Sequence, residues 1–176
     1  MTHHTHHDAP ARVQMFATRH GLDEDTRRSL VTMLNHRLAD SLDLYTQTKH
    51  AHWNVKGMNF YQLHLLFDEL AETVEKHVDM LAERATALGG TALGTVRMAA
   101  QASSLPEMPV VLDSDVAWVE AMVDRYARHA KKMGESIDRA EEMGDKGTAD
   151  MLTEMVQDLD KALYFLESHV QAPARR

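Results

Sequence analysis

Apolar residues recur at steps of three and four through four long stretches of this chain, and that periodicity constrains the fold more than any other feature. Leu30, Leu34, Leu38, Leu42 and Tyr45 form the first seam. Phe60, Leu63, Phe67, Leu70, Val74, Leu81 and Leu88 form the second. Val116, Val119, Val123, Tyr126, Ala130, Met133, Ile137 and Ala140 form the third, and Ala149, Leu152, Val156, Leu159, Leu163, Leu166 and Val170 the fourth. Each seam predicts an amphipathic helix that buries one face, and four such helices predict an all-α bundle. No strand pattern, internal repeat, glycine-rich phosphate loop, G-x-S-x-G elbow or H-E-x-x-H motif accompanies them.

Helix signals divide the chain. Asp23-Glu24-Asp25 opens the first helix, which runs to about His52. Asn54 to Gly57 breaks the pattern, and the second helix starts near Asn59 and closes at Gly89-Gly90. A long connection, Thr91 to Asp113, holds a short helix around Val96 to Gln101 and a proline-containing loop from Ser103 to Pro109. Asp113-Ser114-Asp115 opens the third long helix, and a turn from Gly144 to Gly147 leads to the fourth. Short, long and short links let the helices run up, down, down and up. One domain over residues 23–171 is expected, after a mobile His-rich arm (1–22) and before a short basic tail (172–176).

The 176 residues include no cysteine, which excludes disulfides, thiolate zinc sites, cysteine-ligated iron–sulfur clusters and a cysteine nucleophile. A metal here must be held by His, Asp and Glu, a donor set suited to iron, zinc or manganese. The net charge of −8 argues against broad electrostatic binding to nucleic acid. No run of 18 apolar residues spans a membrane, and Met1 to Pro10 lacks the apolar stretch of a secretory signal, so a cytoplasmic location is expected.

The second helix carries a second stripe. His64, Asp68, Glu72, Glu75, Asp79 and Glu83 share one face beside the apolar seam. A solvated charged face is the ordinary outcome for such a run. Two features oppose it: His64 is embedded among Leu63, Leu65, Leu66 and Phe67, and the stripe has no Lys or Arg. At 1.5 Å per residue, Asp68 and Asp79 are roughly 16 Å apart and His64 and Glu83 nearly 30 Å. Metal–ligand bonds of about 2 Å cannot span those gaps within one chain. Two antiparallel copies, related by a two-fold axis between Thr73 and Val74, would set His64 level with Glu83 of the partner subunit. Asp68 would then lie level with Asp79 of the partner subunit. Glu72 and Glu75 would meet like charges near that axis unless the helices splay. Glu-x-x-His, the pair that builds a di-iron centre inside one subunit, is absent.

These residues resemble a known family. Lys49-His50-Ala51-His52-Trp53-Asn54-Val55-Lys56-Gly57, followed by Phe60, Leu63-His64 and Phe67-Asp68-Glu69, is similar to the signature of Dps-type mini-ferritins. So are Asp79-Met80-Leu81-Ala82-Glu83-Arg84, Leu88-Gly89-Gly90, Thr148-Ala149-Asp150-Met151-Leu152 and Asp158-Leu159-Asp160-Lys161. The resemblance covers about residues 25 to 170. It implies a ferritin-like four-helix bundle with a short extra helix in the long connection between helices two and three. It further implies hollow dodecamers, cytoplasmic or nucleoid-associated. Their ferroxidase sites lie between two subunits, take Fe(II) and hydrogen peroxide as substrates, and deliver ferric oxide to the cavity. By motif match, His52, His64 and Asp68 come from one subunit and Asp79 and Glu83 from another, with Trp53 near the site to intercept stray oxidant. Zinc is an alternative metal for these donors.

Other groups have weaker claims. His50 points to another face than His52 and reads as structural, and His77 lies on the core seam as a partly buried histidine. His20, His36, His129 and His169 have no partners at ligand spacing. Asp145, Asp150 and Glu154 suit either an acidic entry pore, as family members have, or the ordinary acid preference of a helix N-terminus. His3, His4, His6 and His7 could bind zinc or iron, or have no role. Some members of the family bind DNA through lysine-rich tails, and a DNA-compacting protein with secondary iron binding is the alternative function. The arm here has no lysine, so DNA binding is doubtful at neutral pH and more favourable in acid, where its histidines charge.

Overall fold

The computed structural model describes residues 14–171; His3, His4, His6, His7 and the basic tail lie outside the described residues. Five helices follow in order: α1 (Glu24–Asn54), α2 (Phe60–Ala87), α3 (Val96–Ala102), α4 (Asp115–Glu142) and α5 (Lys146–Glu167). The four long ones are those of the apolar seams, and α3 is the short helix of the connection. Side chains cap four of the five starts, α2 being the exception. Asp23 accepts from Thr26 N, Thr95 from Met98 N, Ser114 from Ala117 N and Asp145 from Thr148 N.

α1 packs along α2 and α4 along α5, while α1 also meets α4, α2 meets α5, and α3 lies against α1. The result is the all-α bundle, with one continuous core that includes Leu30, Leu34, Leu38, Phe67, Val74, Met122, Tyr126, Met133, Leu152 and Leu159. The long connection is tied to α1: Leu93 N donates to Asn35 Oδ1 (2.8 Å) and Ser104 N to Asp40 Oδ1 (2.7 Å). No helix among the described residues is long and apolar enough to cross a membrane.

The later part of the expected arm is held on the bundle. Phe16 N donates to Gly89 O (2.7 Å), and Met15 and Leu22 pack against the core. The cause is the end of α2, whose last carbonyls need donors. Phe16 N supplies one, and Arg27 Nη1 donates to Leu88 O at 2.8 Å. Gly89 makes the approach feasible: its φ is +83°, and a Cβ there would lie 2.7 Å from Phe16 O.

Polar pairs cross the interior. Ser41 Oγ and His129 Nε2 are 3.0 Å apart, His77 Nε2 and Asp158 Oδ2 3.1 Å, and Arg125 Nε donates to Gln47 Oε1 at 2.8 Å. His77, expected to be partly buried, is 2% exposed, and His129, which shows no signal in the sequence, is fully enclosed. Burial pushes His129 down to about 3, so it is neutral in the native protein. Burial also lowers His77, against the opposing pull of Asp158.

Candidate metal centre

The end of α1 and the start of α2 meet through a reciprocal pair. His52 Nδ1 donates to His64 O at 2.7 Å, and His64 Nδ1 donates to His52 O at 2.9 Å. The two rings stack with centroids 3.8 Å apart and planes 20° from parallel. A carbonyl can only accept, so both rings carry a proton on Nδ1, and the Nε2 atoms are the ones whose lone pairs a metal would use. A backbone carbonyl that fixes tautomer and ring orientation is the usual support of a metal-binding histidine. His52 is buried and His64 half-buried, as expected for a ring set among leucines.

Asp68, one turn beyond His64 on α2, faces the same group. Its Oδ1 lies 2.5 Å from Lys49 Nζ and 3.9 Å from His52 Nδ1. The hydrogen bond from Lys49 holds its carboxyl below the usual carboxylate range, so it is anionic at neutral pH. Lys49 has a place in this site that residue type alone does not reveal. The available signal is its spacing, three residues before His52 on the same helix face. Trp53 is 63% exposed, with Lys49 Nζ 5.9 Å from its ring centroid, and the Phe60 ring lies 5.2 Å from that of His64.

Asp79 and Glu83 are exposed and not gathered with this group. α2 is continuous from Phe60 to Ala87, which keeps Asp79 roughly 16 Å along the axis from Asp68. Among the described residues, no three His, Asp or Glu side chains of the chain converge to hold a metal ion. Around the built half, Met58 (96% exposed), Tyr61 (66%) and Leu65 (49%) present apolar surface to solvent.

The acids near the start of α5 divide. Asp145 is 4% exposed and caps α5, and its two oxygens take Arg84 Nη2 at 2.7 and 2.9 Å. The Thr148 hydroxyl also donates to it. Its hydrogen bonds from Thr148 and Arg84 hold it below the usual carboxylate range against the opposing effect of burial. Of its two readings Asp145 takes that of a helix N-terminus acid, with its charge matched inside the fold by an arginine 61 residues away in sequence. Asp150 and Glu154 are exposed. His50 lies 5.6 Å from the Trp118 ring, in the structural position expected of it.

The fold is a helical bundle in which His52, His64 and Asp68 are brought together at the start of α2, while Asp79 and Glu83 lie toward its end. The ferritin-like domain family matches residues 31–175, and the chain belongs to that family. Within it, the chain is a Dps-type mini-ferritin. It is 38% identical over 154 residues to the DNA protection during starvation protein of Agrobacterium fabrum, covering 88% of this chain and 95% of that one. It is 36% identical to the protein of the same name from Halobacterium salinarum, over 85% of this chain and 82% of the other. The fold superposes on DpsC from Streptomyces coelicolor with a TM-score of 0.84 at 30% identity, covering 93% and 95% of the two chains. For the archaeal Dps homologue from Halobacterium salinarum the TM-score is 0.86 at 28% identity, with 98% and 95% covered.

Proposed function

We propose that this protein oxidises Fe(II) at sites shared by two antiparallel copies of α2 and stores the ferric product in a hollow homo-oligomer, a dodecamer. Family membership suggests iron storage and DNA protection. The observation that carries the finer reading is the reciprocal lock on His52 and His64, which leaves two Nε2 lone pairs beside an anionic Asp68. Asp79 and Glu83 from a second subunit complete the set. The donor chemistry fits the substrate: imidazole binds Fe(II) moderately, and carboxylates hold Fe(III) well. The exposed apolar surface around Met58, Tyr61 and Leu65 supports a second copy seated there.

Hydrogen peroxide is the proposed oxidant. Two Fe(II) ions lose one electron each, and peroxide takes both electrons and two protons to give two waters. Paired delivery avoids the one-electron step that releases hydroxyl radical. Trp53 stands exposed beside the site, where a stray radical would meet an oxidisable ring. Zn(II) would compete for the same donors, and the histidines at positions 3, 4, 6 and 7 remain a candidate for zinc or iron. Asp150 and Glu154 are the acids left to draw Fe(II) inward. The proposed setting is the cytoplasm.

The test is anaerobic addition of Fe(II) followed by peroxide. We expect two iron atoms oxidised per peroxide, and loss of that reaction when Asp68→Ala is combined with His52→Ala. Oxidation as fast as in the unaltered protein would contradict the site. The name of these relatives, DNA protection during starvation protein, favours a second reading, DNA protection by direct binding. Gel-shift titration at pH 6 and pH 8 separates the two: the iron reading expects weak binding at pH 8, and tight binding at both would favour DNA compaction.

A further inference from the structure

α1 and α4 form the long side of the bundle away from α2 and α5. Between them, beside Ser104, lies a pocket of about 210 Å³ whose lining includes Met33, His36, Arg37, Lys132, Glu135 and Arg139. The sequence places its polar heads together because each set follows helical spacing on facing helices. In a chain of net charge −8, this pocket has three fixed positive charges against one carboxylate in its lining.

The charges are not all matched. Arg37 Nη1 donates to Lys132 O (3.0 Å) and Nη2 pairs with Asp40 Oδ2 (2.7 Å), while Arg37 Nε is buried with no partner. Arg37 is only 9% exposed, so its guanidinium is a fixed charge. Lys132 Nζ uses Glu135 Oε2 at 3.0 Å and has two further protons to donate. The Arg139 guanidinium and the His36 ring have no hydrogen-bond or ion-pair partner among the described residues. Arg139 is also near enough to Arg37 to disfavour its charge. Arg37 is matched by Asp40 and Lys132 by Glu135, so Arg139 is the charge in this pocket that lacks an anion among the described residues.

We propose that this pocket binds a phosphate-type oxyanion, with Arg139, Lys132 and His36 as its donors and Arg37 as the fixed charge behind them. Arginine and lysine are the usual partners of phosphate oxygens. No Phe, Tyr or Trp lines the pocket, so it offers no broad ring on which a nucleobase would stack. A duplex held by its backbone needs a stripe of several phosphate contacts, whereas this is one small, partly open pocket on an acidic protein. The ligand is therefore a free phosphate group, not the backbone of a nucleic acid.

The test is calorimetric titration of the iron-free, full-length protein with inorganic phosphate at constant ionic strength. Removing iron keeps the result independent of the ferroxidase proposal. Expected are saturable binding at one site per chain, competition by sulfate but not by chloride, and affinity weakened about tenfold or more in Arg139→Gln and in Lys132→Gln. Both side chains reach solvent, and unchanged thermal melting of the variants confirms an intact fold. A titration that does not saturate, or an affinity in both variants equal to that of the unaltered protein, overturns the proposal. So does a short DNA duplex that displaces phosphate from the pocket at equal phosphate concentration.

Discussion

At the start of α2, His64 and Asp68 are each gripped by α1, one through the His52 carbonyl and the other through Lys49. Toward the end of the same helix, Asp79 and Glu83 stand exposed, with no side-chain partner among the described residues. The ligand types are similar, but their preparation is opposite. Rings locked in one tautomer cost little reorganisation when they bind a metal, and free carboxylates can be brought to it by another surface. A prepared half and an unprepared half on one helix, too far apart to cooperate, are what a two-fold pair of chains would need. In the proposed pair each copy would offer both halves, and an isologous contact would complete two equivalent sites.

Removing a donor from the prepared half should have the largest effect. Asp68→Ala or His64→Ala should slow peroxide-driven iron oxidation by more than about a hundredfold, since partners outside the ligand set alone commonly account for ten- to a hundredfold. Stopped-flow absorbance of the ferric product checks this. Glu83→Gln should cost roughly ten- to a hundredfold in rate while leaving stability within about 0.5 kcal/mol, because an exposed acid without partners contributes little to the fold. Equal melting temperatures with unequal rates would sharpen the contrast; a destabilised Glu83→Gln would break it.

Acid separates the bundle from the site. His129 is held neutral by burial, at about 3 in the fold against about 6.5 when unfolded. Its folded value is depressed, so stability is full above pH 6.5 and falls as the pH drops toward 3, by about 1.4 kcal/mol per unit. Urea unfolding at pH 5 should therefore show a loss of about 2 kcal/mol relative to pH 7, flattened in His129→Gln. Asp68, held low by Lys49, should stay ionised over that range. The smallest effect is expected from Lys49→Met. The Asp68 carboxyl should titrate upward toward its ordinary value, seen by carbon-detected NMR, with Fe(II) affinity changed by less than about tenfold.

Much of the bundle was legible because its signals are local. Three-four periodicity marked the four long helices, and Asp23 and Ser114 announced their own helix starts. The stripe on α2 was legible for the same reason, being one face of one helix. The His52–His64 exchange and the Lys49–Asp68 pair were not, since they arise where α1 and α2 meet. Asp145 stood open between a capping acid and a pore acid, because the two look alike until Arg84 is seen across the fold. His129 gave no signal at all, because a buried histidine depends on Ser41 of another helix, not on its own neighbours in sequence.

A site that takes donors from two chains can be rebuilt by mixing subunits that each lack a different donor. Asp68→Ala and Glu83→Ala proteins are each expected to be inactive. Unfolded together and reassembled, they should form mixed pairs in which one site loses both carboxylates and the other keeps all of its ligands. Random pairing then restores about a quarter of the original sites. Iron oxidation recovering to about that fraction is the predicted result; a mixture as inactive as its two parents would contradict a shared site.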